Sequence, residues 1–250
     1  TMTPSVAVVL LALVPVVLCS PTSHIVGGSD VDIDNYGWQG SYRTGANSHS
    51  CGCVYVGGNY ALTAGHCGGS SAYTMEFGNT NRNTGPYTAI ASVNRHPDYD
   101  QGPGFTPNDI AIVTISGEVQ GNPTAGVIAP NADNPGGNGW ITGWGRTCGT
   151  CALPITLQGV NIPIIADSEC STIHGDNFQP SNMICVWGGQ DGGIGSCNGD
   201  SGGPLAVNGV IYGLTSWGII GCNTNFPSAY NRVGAFNNWI CENTSGVSGC

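Results

Sequence analysis

Gly199-Asp200-Ser201-Gly202-Gly203-Pro204-Leu205-Ala206-Val207-Asn208-Gly209-Val210-Ile211-Tyr212-Gly213-Leu214 is the stretch that decides the fold. It opens on a glycine-rich turn and runs into a short apolar strand, Pro204 to Val207. Asn208-Gly209 suits the positive φ angles of a type I′ turn, so the chain is expected to reverse there. Val210 to Leu214 then returns as a second strand, which makes an antiparallel hairpin. Outward from it, similar runs recur: Cys53-Val54-Tyr55-Val56, Tyr60-Ala61-Leu62-Thr63 and Ile110 to Ile115. Between them lie Gly, Pro and Asn, the residues of tight turns. Helical spacing emerges only near the end, where Val233, Phe236, Asn237 and Ile240 predict a short C-terminal helix. The expectation is an all-β chain closed by that helix.

The hairpin's opening turn also carries chemistry. A serine hydroxyl is a weak nucleophile unless a base takes its proton, a third group orients the base, and donors await the oxyanion. Glycines around Ser201 leave it uncrowded and free the amides of Gly199 and Ser201 to converge on one point. Thr63-Ala64-Gly65-His66-Cys67 offers a base whose backbone the adjacent cysteine can anchor. His49, His96 and His174 lack such a setting and read as surface or satisfied polar residues. Asn108-Asp109-Ile110-Ala111 brings an aspartate into an apolar strand, where it is costly unless paired. Orienting a histidine is one such pairing.

The order His66, Asp109, Ser201 is that of chymotrypsin, not of subtilisin or the α/β-hydrolases. With Ile25-Val26-Gly27-Gly28, Trp38-Gln39, Gly143-Trp144-Gly145 and Ser216-Trp217-Gly218, the chain resembles the trypsin/chymotrypsin family from Ile25 to Ile240. That resemblance implies two six-stranded antiparallel β-barrels with the site between them. It implies a secreted serine endopeptidase acting through an acyl-enzyme, with His66, Asp109 and Ser201 as triad and Gly199 and Ser201 as oxyanion hole. Ser216, Trp217 and Gly218 would pair with substrate backbone as an added strand. Gly195, six before Ser201, would lie at the pocket base with Ser196, while Ser228 would project from the back. None is acidic, so apolar residues are expected before the scissile bond, unless Asp191 or Glu242 supplies an acid.

The resemblance further implies that a new amine at Ile25 pairs with Asp200 after cleavage. The preceding residue is His24, where the family usually has Arg or Lys, which separates this chain from activation by a trypsin-like enzyme. It also implies the disulfides Cys51 with Cys67, Cys170 with Cys185, and Cys197 with Cys222. With Cys19 in the expected signal peptide, Cys53, Cys148, Cys151, Cys241 and Cys250 remain in the mature chain, an odd number, with Cys241 and Cys250 a candidate pair in the tail. One thiol is left free or intermolecular.

Composition closes off other classes. The 250 residues carry a net charge of -10, and the only basic residues besides histidine are Arg43, Arg82, Arg95, Arg146 and Arg232. No basic patch exists for nucleic acid or for an anionic membrane. Val6 to Leu18 is an apolar run of signal-peptide length. The expected layout is a signal peptide over 1–20, a short pro-segment over 21–24 and the protease domain over 25–250. Twelve cysteines fit an oxidising compartment. Cys148 and Cys151 form a CxxC pair with no partner pair at zinc-finger spacing, so no metal is expected. No carboxylate cluster follows Glu76 for calcium, and no cofactor is expected. Asn243-Thr244-Ser245 is a glycosylation sequon. Protein or peptide substrates, and protein protease inhibitors, are the expected partners of a monomer. Two other readings stand beside this one: a catalytically silent, protease-like binding protein, and a disulfide-rich structural protein. The second explains the cysteines but not the ordered triad.

Overall fold

The structure, a computed structural model, describes residues 25–45, 48–100 and 107–250. The expected signal peptide and pro-segment lie outside these residues. The strands are β1 (Ser29–Asp30), β2 (Gln39–Gly45), β3 (Ser48–Gly57), β4 (Tyr60–Thr63), β5 (Thr74–Phe77), β6 (Tyr87–Arg95) and β7 (Ala111–Ser116). They continue with β8 (Val127–Ile128), β9 (Asn138–Gly143), β10 (Gln158–Pro163), β11 (Met183–Val186), β12 (Pro204–Val207), β13 (Val210–Trp217) and β14 (Ser228–Arg232). The helices are α1 (Asp167–His174) and α2 (Asn237–Glu242).

The first half is a closed barrel in the order β2-β3-β4-β7-β6-β5. Its interior alternates as the pleat demands: Tyr42, Cys53, Met75, Phe77 and Val113 are buried together. The second half is a sheet of eight strands, ordered β1-β10-β9-β12-β13-β14-β11, with β8 beside β13. Six of these wrap toward closure, because Ile164 bridges Val186 between the ends of β10 and β11. The architecture is the pair of six-stranded barrels that the resemblance implies, with β1 and β8 added at the margins of the second half.

The β12–β13 hairpin forms as its sequence predicts, with Asn208 at φ 50° and Gly209 at φ 80°. Near the C-terminus a 3-10 turn, Val233–Phe236, leads into α2. Helix α1 was not legible: only Cys170 of its residues is buried, so it has no apolar stripe.

A core of Val54, Leu62, Ile110, Ile211, Leu214, Val233, Phe236 and Ile240 spans both halves. It locks α2 across the seam between them. At that seam the amide of Gly52 on β3 donates to the carbonyl of Ser201, 2.7 Å away. Three of the arginines are tied to acceptors within the fold. Arg82 donates to the carbonyls of Leu153 and Pro154, Arg146 to that of Cys151, and Arg232 to that of Met183 and to Asp167.

Candidate active site

Asp109 enters β7 fully buried at the seam and is satisfied from several sides. One carboxylate oxygen accepts from the backbone amide of His66 at 2.8 Å. The other is 2.8 Å from His66 Nδ1 and accepts from the hydroxyl of Ser216 at 2.6 Å. The Asp109 carbonyl accepts from the side-chain amide of Asn231. This bonding leaves the far edge of the His66 ring facing a cleft of about 310 Å³.

Ser201, Ser196, Ser216, Trp217 and Gly218 line the same cleft as His66. Gly195 sits behind Ser196; a Cβ there would lie 3.4 Å from Thr224 and 3.7 Å from the Ser228 hydroxyl. A Cβ at Gly218 would lie 3.6 Å from that same hydroxyl. Beneath the cleft a recess of about 10 Å³ remains, bordered by Ser196, Gly218, Thr224 and Ser228. Neither cavity is lined by a described carboxylate, and Asp191 and Glu242 are exposed and line neither.

The turn before Ser201 is held by its peptide planes. In a trans peptide the carbonyl and the following N–H point in opposite directions. Arg146 N–H donates to the Asn198 carbonyl at 2.8 Å, which aims the N–H of Gly199 the other way. Gly203 N–H holds the Asp200 carbonyl at 2.8 Å, which does the same for the N–H of Ser201. Gly199 adopts φ 101°, a region that side chains disfavour.

Asp200 is buried and accepts from the amides of Gly145 at 2.8 Å and Cys197 at 2.9 Å. Burial pushes its carboxyl up to about 7, against the pull of those two bonds. Gly143 and Gly145 owe their identity to it, since a Cβ at either would fall 2.2 to 2.3 Å from its carboxylate. Ile25 is buried among Ile141, Ile162, Ile184 and Tyr230. Val26 bridges Gly195, so the start of the domain lies against the residue that precedes Ser196 of the cleft.

Two histidines read as bystanders touch this machinery. His49 is buried, with its ring nitrogens 2.8 Å from the Ser41 hydroxyl and 2.9 Å from the Gly199 carbonyl. Burial pushes it down to about 4. His174 lies edge-on to Trp217 and bonds the carbonyl of Pro227, next to Ser228. No local motif marked either, because the bonds that tie them to the site, His49 to Gly199 and His174 to Pro227, cross 150 and 53 residues. The structure joins Cys51 to Cys67, Cys148 to Cys151, Cys170 to Cys185, Cys197 to Cys222 and Cys241 to Cys250. Among the described residues Cys53 is the free thiol, buried in the first barrel, which drives its ionisation out of reach at neutral pH.

A sequence family described as Trypsin matches residues 25–240. The chain is 31% identical over 258 residues to the chymotrypsin-like serine proteinase of Haliotis rufescens, covering 93% of this chain and 96% of that one. It is 35% identical over 230 residues to trypsin delta of Drosophila melanogaster, covering 88% of each. It is 35% identical over 245 residues to the fibrinolytic enzyme, isozyme C, of Lumbricus rubellus, covering 88% and 100%. Among solved structures it is similar to neuropsin, a serine protease expressed in the limbic system of mouse brain. That match has a TM-score of 0.78 at 26% identity and covers 86% of this chain and 98% of that one.

Proposed function

The chain belongs to the trypsin family and is a serine endopeptidase, and we propose that it cuts proteins through His66, Asp109 and Ser201 after secretion and proteolytic activation. The observation that carries the reading is the bond network from Ser216 through Asp109 to His66, which ends at the cleft that Ser201 also lines. Asp109 fixes the proton on Nδ1 of His66, so that Nε2 is free to accept. Ser201 attacks the scissile carbonyl and passes its proton to that nitrogen. The imidazolium formed there is stabilised by Asp109 and returns the proton to the leaving amine. The amides of Gly199 and Ser201 receive the oxyanion. Water then repeats the sequence on the acyl-enzyme.

The buried Asp200 supports activation by cleavage between His24 and Ile25. Its hydrogen bonds come from uncharged amides, and among the described residues it forms no ion pair. A new ammonium at Ile25 would supply the missing charge and fix the turn that carries both oxyanion donors. Active enzyme is expected to begin Ile-Val-Gly-Gly on N-terminal sequencing.

The pocket supports apolar residues before the scissile bond. An arginine or lysine there would lose water and meet only the hydroxyls of Ser196, Thr224 and Ser228, at a cost of several kcal/mol. A large apolar side chain gains roughly 1.5–3 kcal/mol on burial. Ser228 stands close behind both Gly195 and Gly218, and the recess below holds little more than one water. That depth favours Leu and Met over Phe and Tyr. The test is a fluorophosphonate label mapped to Ser201, followed by a chromogenic panel varying only the residue before the cut. Tenfold higher kcat/KM for Arg and Lys than for Leu and Phe would sink the pocket reading.

A further inference from the structure

The CxxC pair of the sequence has become a disulfide at the edge of the active-site cleft. Cys148–Cys151 closes a loop with a separation of three residues. Gly149 and Thr150 at its tip are exposed, and both cysteines are partly exposed. The loop meets both walls of the cleft. The backbone of Gly149 lies so close to Gly221 that a Cβ would fall 2.6 Å from the Gly221 carbonyl oxygen. On the other side the Cys148 carbonyl oxygen is 3.8 Å from Cys197 Sγ.

The loop also sets the peptide that carries an oxyanion donor. Arg146 N–H holds the Asn198 carbonyl, and so aims the Gly199 N–H. The guanidinium of Arg146 is tied in turn to the Cys151 carbonyl at 2.7 Å, and Cys151 N–H donates to the Cys148 carbonyl at 3.2 Å. Leu153, at the end of the loop, occupies the space beside Gly199 that a Cβ would need. Arg82 fastens the far end through the carbonyls of Leu153 and Pro154. Opening the disulfide therefore loosens Arg146 and Asn198 while the loop stays attached.

We propose that Cys148–Cys151 is a reducible staple that positions the Gly199 amide, and that a dithiol reductant lowers turnover by opening it. The proposal rests on the oxyanion role assigned above to Gly199. In the step, a reductant thiolate attacks one sulfur of the pair and displaces the other as a thiolate. The reductant's second thiol then resolves the mixed disulfide. Two electrons and two protons pass to Cys148 and Cys151, and the reductant leaves as its own disulfide. Thiol exchange requires access. Cys170 and Cys185 are buried, as are Cys51 and Cys67, and Cys197 is buried on its side of the third bridge. Cys241–Cys250 is accessible but lies in the tail. A cross-link that closes so short a loop also constrains the unfolded chain least, so its loss leaves the fold standing.

The experiment compares wild type, C148S/C151S and C241S/C250S, each activated and titrated with a fluorophosphonate. C148S/C151S is expected to lose about 10- to 100-fold in kcat with KM within about twofold, since a donor displaced by about 1 Å costs that much. A peptide aldehyde, whose hemiacetal oxygen uses the same donors, is expected to weaken in parallel. C241S/C250S is expected to keep wild-type kcat. In wild type, activity is expected to fall with dithiothreitol in step with iodoacetamide labelling of Cys148 and Cys151. This series decides the matter alone if the double variant does not fold. Wild-type kcat and aldehyde affinity in C148S/C151S would overturn the proposal, as would activity that falls only when Cys197 and Cys222 are labelled. Absence of fluorophosphonate labelling in wild type would instead overturn the assignment of Ser201, a separate failure.

Discussion

Glu76 in the first barrel and Asp200 in the second half are both buried carboxylates, and they are balanced in opposite ways. Glu76 accepts from Arg43 at 2.9 Å and from the amides of Asn83, Thr84 and Gly85, each at 2.8 Å. Its countercharge is built into the fold, with Arg43 fully buried beside it and stacked on Tyr87. Asp200 has two amides and, among the described residues, no cation, and its carboxyl rises to about 7. The first arrangement organises a loop and is finished once the chain has folded. Under the proposed activation, the second keeps an electrostatic cost in the uncut chain that the new ammonium would remove. Asp109 is an intermediate case, because its cation is the imidazolium that His66 becomes during the proposed reaction. The comparison teaches that the source and timing of the countercharge separate a structural acid from a functional one.

The largest effect should come from Asp109. Asp109→Asn is expected to lower kcat by about 10⁴-fold, as is Ser201→Ala, with far-ultraviolet circular dichroism unchanged. Near-normal turnover of either would break the functional side of the comparison. Glu76→Gln should do the reverse. Removing the charge of one partner of a buried pair is expected to cost about 3–5 kcal/mol in urea unfolding. Turnover per titrated site should stay within about twofold. A large loss of turnover in titrated Glu76→Gln would erase the distinction drawn here.

Asp200 should reveal itself through pH. Its folded carboxyl takes a proton at about 7, against 3.8 when unperturbed. Between those values the folded uncut chain holds a proton that the unfolded chain has released. Stability is therefore lost as pH rises through that window, and the penalty is complete above it. His49 works against this slope. Its folded value near 4 lies below the ordinary 6.5, so its contribution is lost as pH falls through the same range. The measurement is accordingly a difference. Uncut Ser201→Ala protein and its Asp200→Asn derivative are compared by urea unfolding at pH 4 and pH 7.5. The derivative is expected to gain a few kcal/mol relative to its parent on going to pH 7.5. No relative change would mean that Asp200 is already paired before cleavage.

The smallest effect extends the comparison to a carboxylate whose cation is the substrate. Gly195 has room for a side chain, with its nearest neighbours at ordinary contact distance. Gly195→Asp is expected to raise kcat/KM for an Arg substrate relative to its Leu counterpart by at least about tenfold, on the order of 1.4 kcal/mol. An unchanged ratio on the chromogenic panel would show that Gly195 does not face the bound side chain.

Much of this was legible because it is local chemistry. Asn208-Gly209 can reverse a chain wherever it stands, and alternating apolar residues declare a strand without help from the rest of the molecule. The glycines flanking Ser201, the cysteine after His66 and the aspartate entering β7 are likewise properties of a few adjacent residues, and their order along the chain narrowed the reaction. The absence of an acid at Gly195, Ser196, Gly218 and Ser228 was equally plain, and so was the odd number of cysteines after the expected signal peptide. What the chain could not declare is which polar group meets which. Ser216 reaches Asp109 across 107 residues, and His49 reaches Gly199 across 150. Nothing beside Glu76 in sequence announced Arg43, and a cation for Asp200 was implied only by the family resemblance. Only the tertiary structure decided that Cys53 stays unpaired, that Cys148 turns back to Cys151, and that α1 forms without an apolar stripe. The physical reason is range: turn and strand preferences act over a few residues, whereas the cost of burying a charge depends on partners that folding alone brings within 3 Å.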